Sequence, residues 1–174
     1  AVVEAFWRHR RIHSLTGWKF WAFVVGGARL DEDLETFWRR LGYAVVQGYG
    51  LTEASPVVAL NHPFSARKGS IGRALPGQEI RLAPDGEILV RGPSVADEYF
   101  GGGSGDEGST YFAGGWLHTG DLGEMDAEGR LYYRGRKRDL IVRPDGLNVF
   151  PGDVERALLA QPEIADCAVV GTAE

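Results

Sequence analysis

Three stretches of this sequence carry residue types whose spacing can do chemistry. Gly48–Glu53, GYGLTE, sets two glycines around a tyrosine and follows them with a hydroxyl and a carboxylate. Gly48 and Gly50 remove two side chains and let main chain approach a flat or charged ligand. Tyr49 can present a ring face to a base, while Thr52 and Glu53 offer the oxygen donors suited to a phosphate and its magnesium ion. Taken alone, the six residues fit a tight turn more simply than a nucleotide clamp. Gly115–Leu122, GWLHTGDL, places Asp121 after Thr119 and Gly120. Its carboxylate can accept from two neighbouring hydroxyls, as a ribose offers, or cap the amides of a turn. His118 has no partner at metal or catalytic spacing and reads as packing and polar support. Gly135–Glu155, GRKRDLIVRPDGLNVFPGDVE, opens on Arg136, Lys137 and Arg138, a basic run that by itself reads as a solvated turn.

The elements that must position these residues follow from periodicity. Ala1–Leu15 reads as a helix tail, with Arg8, His9, Arg10 and Arg11 on a solvated face rather than at a nucleic-acid contact. Trp18–Val25 is an apolar run of strand length closed by Gly26 and Gly27. Asp31–Leu41 has an acidic start and helical spacing that predicts Leu34, Phe37, Trp38 and Leu41 on the inward side. Tyr43–Val46 is the next strand, so the order is that of a βαβ unit with two parallel strands. Its two glycine-bearing strand ends should face one crevice. From Gly69 the pattern changes to strands and tight turns. Gln78–Ala83 and Glu87–Arg91 flank the turn at Pro84, Asp85 and Gly86, and Leu117–Met125 pairs with Arg130–Arg134. Gly101–Gly108 reads as a glycine-rich surface loop without the lysine and hydroxyl of a P-loop. Pro151–Ala160 predicts a helix with Val154, Ala157 and Leu158 inward. Ile164–Val170 predicts a strand with Cys167 packed in the core.

A length of 174 residues allows one large or two small domains, and a net charge of −5 gives no standing affinity for nucleic acid. No apolar run has the length of a membrane span, and the first residues lack the pattern of a signal peptide. The one cysteine excludes an internal disulfide, which fits a reducing compartment. Composition alone leaves the function open.

The three motifs, in this order, resemble the acyl-adenylate-forming enzymes: acyl-CoA ligases, luciferases and the adenylation domains of peptide synthetases. The likeness runs from about Phe20 to the end of the chain. GGARL from Gly26, SPVV from Ser55, and the pair GRKRDLIV and LNVFP are most like fatty-acyl-CoA ligases. The resemblance implies a mixed α/β chain: residues 1–66 as the last βαβ part of a large N-terminal domain, 67–135 as a β-barrel-like subdomain, and 136–174 as a hinge and the start of a small α+β C-terminal domain. It implies nucleotide contacts from Gly27, Ala28, Gly48, Tyr49, Gly50, Thr52, Asp121 and Arg136, with Asp121 on the ribose and Arg136 on ribose and phosphate. Thr52 and Glu53 take catalytic roles, with Glu53 on Mg2+. Arg138 falls at the hinge, where the family more often has aspartate or lysine, and Gly146 lines the CoA channel.

The activity so implied uses ATP, Mg2+ and CoA. A fatty or other carboxylic acid becomes an acyl-adenylate, and the CoA thiol then displaces AMP. The family's phosphate loop lies upstream of GYGLTE and its adenylate-forming lysine beyond Glu174. The expectation is therefore an internal segment of a larger cytoplasmic enzyme, with peripheral membrane placement left open. By itself the segment is expected to be inactive and to self-associate through exposed apolar surface. Two alternatives share these motifs: an enzyme that loads a carrier protein, and a nucleotide-binding module without chemistry.

Overall fold

Residues 2–28, 30–96 and 112–172 are described by the computed structural model, so the glycine-rich stretch Gly101–Gly108 lies outside the described residues. The first helix, expected to be continuous, is two: α1 (Val2–Arg8) and α2 (Arg10–Thr16), parted at His9, whose backbone (φ −100°, ψ 26°) leaves helical values. Both stay anchored. Phe6 and His13 pack ring to ring at 3.9 Å, and His13 also meets Tyr43 at 4.3 Å. Gly42 makes this possible, because a Cβ there would lie 2.2 Å from the Phe6 nitrogen and its φ is +93°.

Strand β1 (Ala22–Val25) is shorter than the apolar run predicts, since Phe20 N–H donates to Gly17 O and turns the preceding residues out of the sheet. Helix α3 (Glu32–Arg40) is capped by Asp31, whose Oδ1 accepts from the amides of Asp33 and Leu34. Strand β2 (Ala44–Tyr49) then runs parallel to β1, with Ala22 opposite Ala44 and Val25 opposite Gln47. The βαβ order is as expected, and the inward face of α3 is so in part: Trp38 packs on Phe23 and Tyr43, at 4.7 and 5.6 Å, and Leu41 is half-buried. Leu34 and Phe37 are 45% and 52% exposed, and the buried residue is Glu35. A buried carboxylate needs partners. Glu35 has them: Oε1 accepts from Arg39 Nε and Oε2 from Gln47 Nε2, both at 2.8 Å, while Arg39 also donates to Val45 O. This polar tie and the Trp38 ring together fasten α3 to the strand pair.

Strands β3 (Ala59–Leu60) and β4 (Arg73–Ala74) add antiparallel to complete a sheet of order β1-β2-β3-β4. The second sheet has five strands: β5 (Glu79–Leu82), β6 (Glu87–Arg91), β7 (Phe112–Ala113), β8 (Trp116–Met125) and β9 (Leu131–Arg136). Long β8 pairs with β6 and with both β7 and β9. A bridge between Gly72 and Leu131 joins the sheets. Tyr49, Val58, Ile71, Ile88, Val90 and Leu131 pack at that joint, so the core lies directly beneath the end of β2.

Beyond β9 the chain forms a short hairpin, β10 (Ile141–Val142) with β11 (Asn148–Val149), and helix α4 (Pro151–Leu159). Two expectations fail here. Val154, Ala157 and Leu158 are exposed rather than inward, because no described element packs on that face. Ile164–Val170 finds no strand partner among the described residues. It is tied to α4 instead, with Val169 N–H on Glu155 Oε1 and the Cys167 thiol on Glu155 O. Cys167 is accordingly half-buried, not core.

Replacing Gln47 by leucine removes the donor to Glu35 Oε2 in a buried site. Urea unfolding of Gln47→Leu should show a loss of about 1–3 kcal/mol, whereas Leu34→Ala should stay within about 0.5 kcal/mol. The reverse order would put the apolar stripe of α3 back in the core.

Candidate functional site

Strand β2 runs through Gly48 and Tyr49, so the motif GYGLTE begins inside the sheet and leaves it only at Gly50. The chain then folds back sharply. A Cβ on Gly50 would lie 1.6 Å from Pro56 O, and Val58 N–H closes the loop on Tyr49 O at 2.8 Å. Only glycine admits that approach. Thr52–Ala54 form one turn of 3₁₀ helix, braced from the segment after β6 by Ala96 N–H on Glu53 O and Ser94 Oγ on Ala54 O.

From the other sheet, the β8–β9 register sets Asp121 opposite Arg136. Asp121 is 2% exposed. Its Oδ2 accepts from the Tyr49 hydroxyl at 2.7 Å, and its Oδ1 lies 3.0 Å from Arg136 Nη1. Its amide donates to Thr119 Oγ1, which itself donates to Ile88 O. Burial pushes the Asp121 carboxyl above the usual range, the nearby Glu87 charge adds to that, and the Tyr49 hydroxyl and Arg136 pull against it. Burial and the Asp121 charge together drive the Tyr49 phenol far up, so it stays a donor.

Two cavities open here. One, of about 140 Å³, is lined by Gly27, Ala28, Gly48, Tyr49, Gly50, Asp121 and Arg136 among others. The other, of about 430 Å³, is lined by Gly50, Leu51, Thr52, Glu53, His118 and Arg136 among others. Gly50, Leu51 and Arg136 belong to both. The structure thus draws together Gly27, Ala28, Gly48, Tyr49, Gly50, Asp121 and Arg136, and sets Thr52 and Glu53 next door. Arg138 and Gly146 stand apart. Arg138 is exposed beside a larger cleft of about 930 Å³, and Gly146 (φ +82°) is in the turn of the β10–β11 hairpin, its amide on Arg143 O.

The sequence pattern of the AMP-binding enzymes matches residues 1–100. The chain belongs to the AMP-binding enzyme family. Among curated members, it is 39% identical over 167 residues to the long-chain-fatty-acid–CoA ligase FadD15 of Mycobacterium bovis, covering 95% of this chain and 27% of that protein. It is 41% identical over 159 residues to the 2-succinylbenzoate–CoA ligase of Bacillus subtilis, covering 85% and 32%. Among solved structures, the O-succinylbenzoate CoA synthetase (MenE) of Bacillus subtilis in complex with ATP and magnesium superposes with a TM-score of 0.78 at 35% identity, over 88% of this chain and 34% of that one. The chain therefore spans about a quarter to a third of the length of these relatives. The mixed α/β fold is that of the matching part of this family.

Several residues at the site escape a motif reading. Thr119 holds the Asp121 amide, and Glu87 binds Gly120, Lys137 and His118 from the start of β6. His118 supports that carboxylate, as its polar-support reading expects. The one signal for Glu87 was its place after the Pro84–Gly86 turn, which does not tell a buried acid from a solvated one.

The Tyr49 hydroxyl lowers the Asp121 pKa, so Tyr49→Phe should raise it further. The raised folded value means stability is fullest at low pH and is lost as pH rises through that value. Tyr49→Phe should extend this loss and cost about 1.5–3 kcal/mol at neutral pH. Carboxyl 13C titration with denaturation at several pH values checks both. An unmoved Asp121 pKa would contradict the bond's role.

Proposed function

We propose that this chain supplies the adenosine side of the active site of an ATP-dependent acyl-CoA ligase acting on a fatty acid, with residues 1–66, 67–135 and 136–174 as its three structural parts. The observation that carries the proposal is the meeting of Tyr49, Asp121 and Arg136, from two sheets, at the cavity lined by the glycines of both parallel strand ends. The motifs GGARL, SPVV and LNVFP favour the fatty acid. Relatives are named for acids as different as long-chain fatty acids and 2-succinylbenzoate.

A cavity of about 140 Å³ is smaller than the roughly 300–1,000 Å³ of ordinary ligand sites. A nucleotide would therefore span both cavities, which meet at Arg136. With a side chain 43% exposed and held by Asp121 and a long 3.4 Å bond to Thr119 O, Arg136 can swing outward, and its departure from Asp121 Oδ1 uncovers an oxygen for the ribose hydroxyls. The freed guanidinium then meets the phosphate, for which its planar fork is suited. Gly48 and Gly50 leave backbone beside the base.

Thr52 and Glu53 put a hydroxyl and a carboxylate on one turn, a donor set of hard oxygens that fits Mg2+. Among the described residues no group of three metal-binding side chains exists, so Glu53 would share the ion with water and phosphate oxygens. Bound there, the ion would neutralise phosphate charge. The acyl carboxylate then attacks the α-phosphate and releases pyrophosphate, and the CoA thiol displaces AMP. Charge neutralisation and positioning carry the first step. Arg138 serves as the hinge, and Gly146 keeps the thiol path open after rotation.

Calorimetric titration of the 174-residue chain with AMP should show saturable binding that Asp121→Ala weakens at least tenfold, since about 1.5–3 kcal/mol rides on each charged hydrogen bond. Binding indifferent to Asp121 would refute the site. The chain alone should not exchange pyrophosphate with ATP, because no described group here surrounds the β- and γ-phosphates, and one missing electrostatic donor costs about 100- to 1000-fold in rate. Acid-dependent exchange by this chain would show the catalytic groups to be elsewhere.

A further inference from the structure

One charged cluster, built on a buried carboxylate, has no part in the reaction so far. Glu87, at the start of β6, is 6% exposed, and both its oxygens are engaged. Oε1 accepts from the Gly120 amide at 2.9 Å; Oε2 accepts from Lys137 Nζ at 3.0 Å and lies 3.4 Å from His118 Nδ1. Gly120 is the residue before Asp121, and Lys137 is the residue after Arg136. A single carboxylate therefore holds the chain next to each member of the Asp121–Arg136 pair. Lys137 is held a second time by Asp85 Oδ2 at 2.6 Å, in the turn between β5 and β6.

The sheet alone does not fix these positions. Pairing of β6 with β8 slips between Glu87 and Leu89, and pairing of β8 with β9 slips between Leu122 and Gly123. At such irregularities a strand bends and its ladder is interrupted, so other bonds decide where a side chain points. Gly120 adds a φ of +68° just before Asp121. After Arg136 the strand ends and the 3₁₀ turn Lys137–Asp139 begins.

We propose that Glu87 and Lys137 are positioning residues for the nucleotide site, a clasp that sets Asp121 and Arg136 at the separation and direction needed to receive ribose and phosphate. The proposal rests on the nucleotide reading of that pair. The charges agree with the geometry. Burial pushes the Glu87 carboxyl up, but Lys137, the Gly120 amide and His118 outweigh it and hold it below the usual range. Asp85 and Glu87 in turn hold the Lys137 ammonium above its own. Magnitude separates a clasp from an ordinary stabilising ion pair. The Lys137 side chain is 47% exposed, so its pair opens to water and adds little to stability, while the Glu87 side chain, 8% exposed, keeps the Gly120 amide and His118 when Lys137 is gone. Its removal should therefore show in the site rather than in the melting temperature.

The test uses the 174-residue chain, AMP as the probe, calorimetry for affinity, thermal melting for stability and amide hydrogen exchange at Gly120. Lys137→Met should weaken AMP binding about tenfold with little change in melting temperature, and Lys137→Arg should return it to within about twofold. Glu124→Gln, which breaks the exposed pair with Arg134 on the same strand pair, should leave affinity unchanged. Equal AMP affinity in Lys137→Met and the unaltered chain overturns the proposal, as does a loss matched by an equal fall in stability. If the unaltered chain binds no AMP, the nucleotide reading fails and the exchange rate decides the clasp. Faster exchange at Gly120 in Lys137→Met, by about tenfold, supports it, and an unchanged rate overturns it.

Discussion

The hydrogen bond from Tyr49 to Asp121 is the contact on which the rest of this structure depends. It is 2.7 Å long, buried, and joins residues 72 apart in sequence. One end belongs to the parallel strand pair and the other to the five-stranded sheet, so the bond fixes where the sheets meet. The apolar joint formed by Val58, Ile71, Ile88 and Leu131 brings these sheets together without direction. The Gly72–Leu131 bridge and the Tyr49–Asp121 bond together give that joint a register. Glycines at Gly48 and Gly50 then serve two ends at once. They let the chain return tightly past Leu60 and Pro56, and they leave bare backbone on the cavity wall.

Placing Asp121 under Tyr49 sets up an electrostatic tension. A carboxylate so deeply buried is costly to ionise unless it is partnered. Tyr49 partners one oxygen with a full hydrogen bond. Arg136 faces the other at 3.0 Å as a charge, but without hydrogen-bond geometry. That second oxygen is the weakly satisfied position in the site, and it is the one an incoming hydroxyl pair would improve. Behind it, the Lys137 ammonium sits between the Glu87 and Asp85 carboxylates and holds the strands.

Much of this was legible in the sequence, for physical reasons that differ by region. The βαβ order could be read because the apolar runs around Phe23 and Val45 and the capped, acidic start at Asp31 all point the same way. Each of the three motifs alone also fits a turn, so the candidate site came from the resemblance they carry together; the structure brings Tyr49, Asp121 and Arg136 to one place. The inward face of α3 could be read only in part, at Trp38. Helical spacing marks Leu34 and Phe37 as apolar, but it does not say which of two faces the neighbouring sheet will take. Here the Glu35–Arg39–Gln47 tie settled it. The run Ile164–Val170 has strand composition, yet a strand needs a partner, and among the described residues none pairs with it. Glu87 and Lys137 were hidden because an ion pair on a buried carboxylate depends on three-dimensional proximity between residues 50 apart.

The central claim is that Asp121 receives a ribose when Arg136 leaves it, and a crystal structure of the chain with AMP bound is the most direct measurement. The account predicts the ribose hydroxyls within hydrogen-bond distance of the Asp121 carboxylate, the base beside Gly48 and Tyr49, and the Arg136 guanidinium moved from Oδ1 to the phosphate. AMP found instead in the large cleft beside Arg138, with the Tyr49–Asp121–Arg136 contacts unchanged, would contradict it.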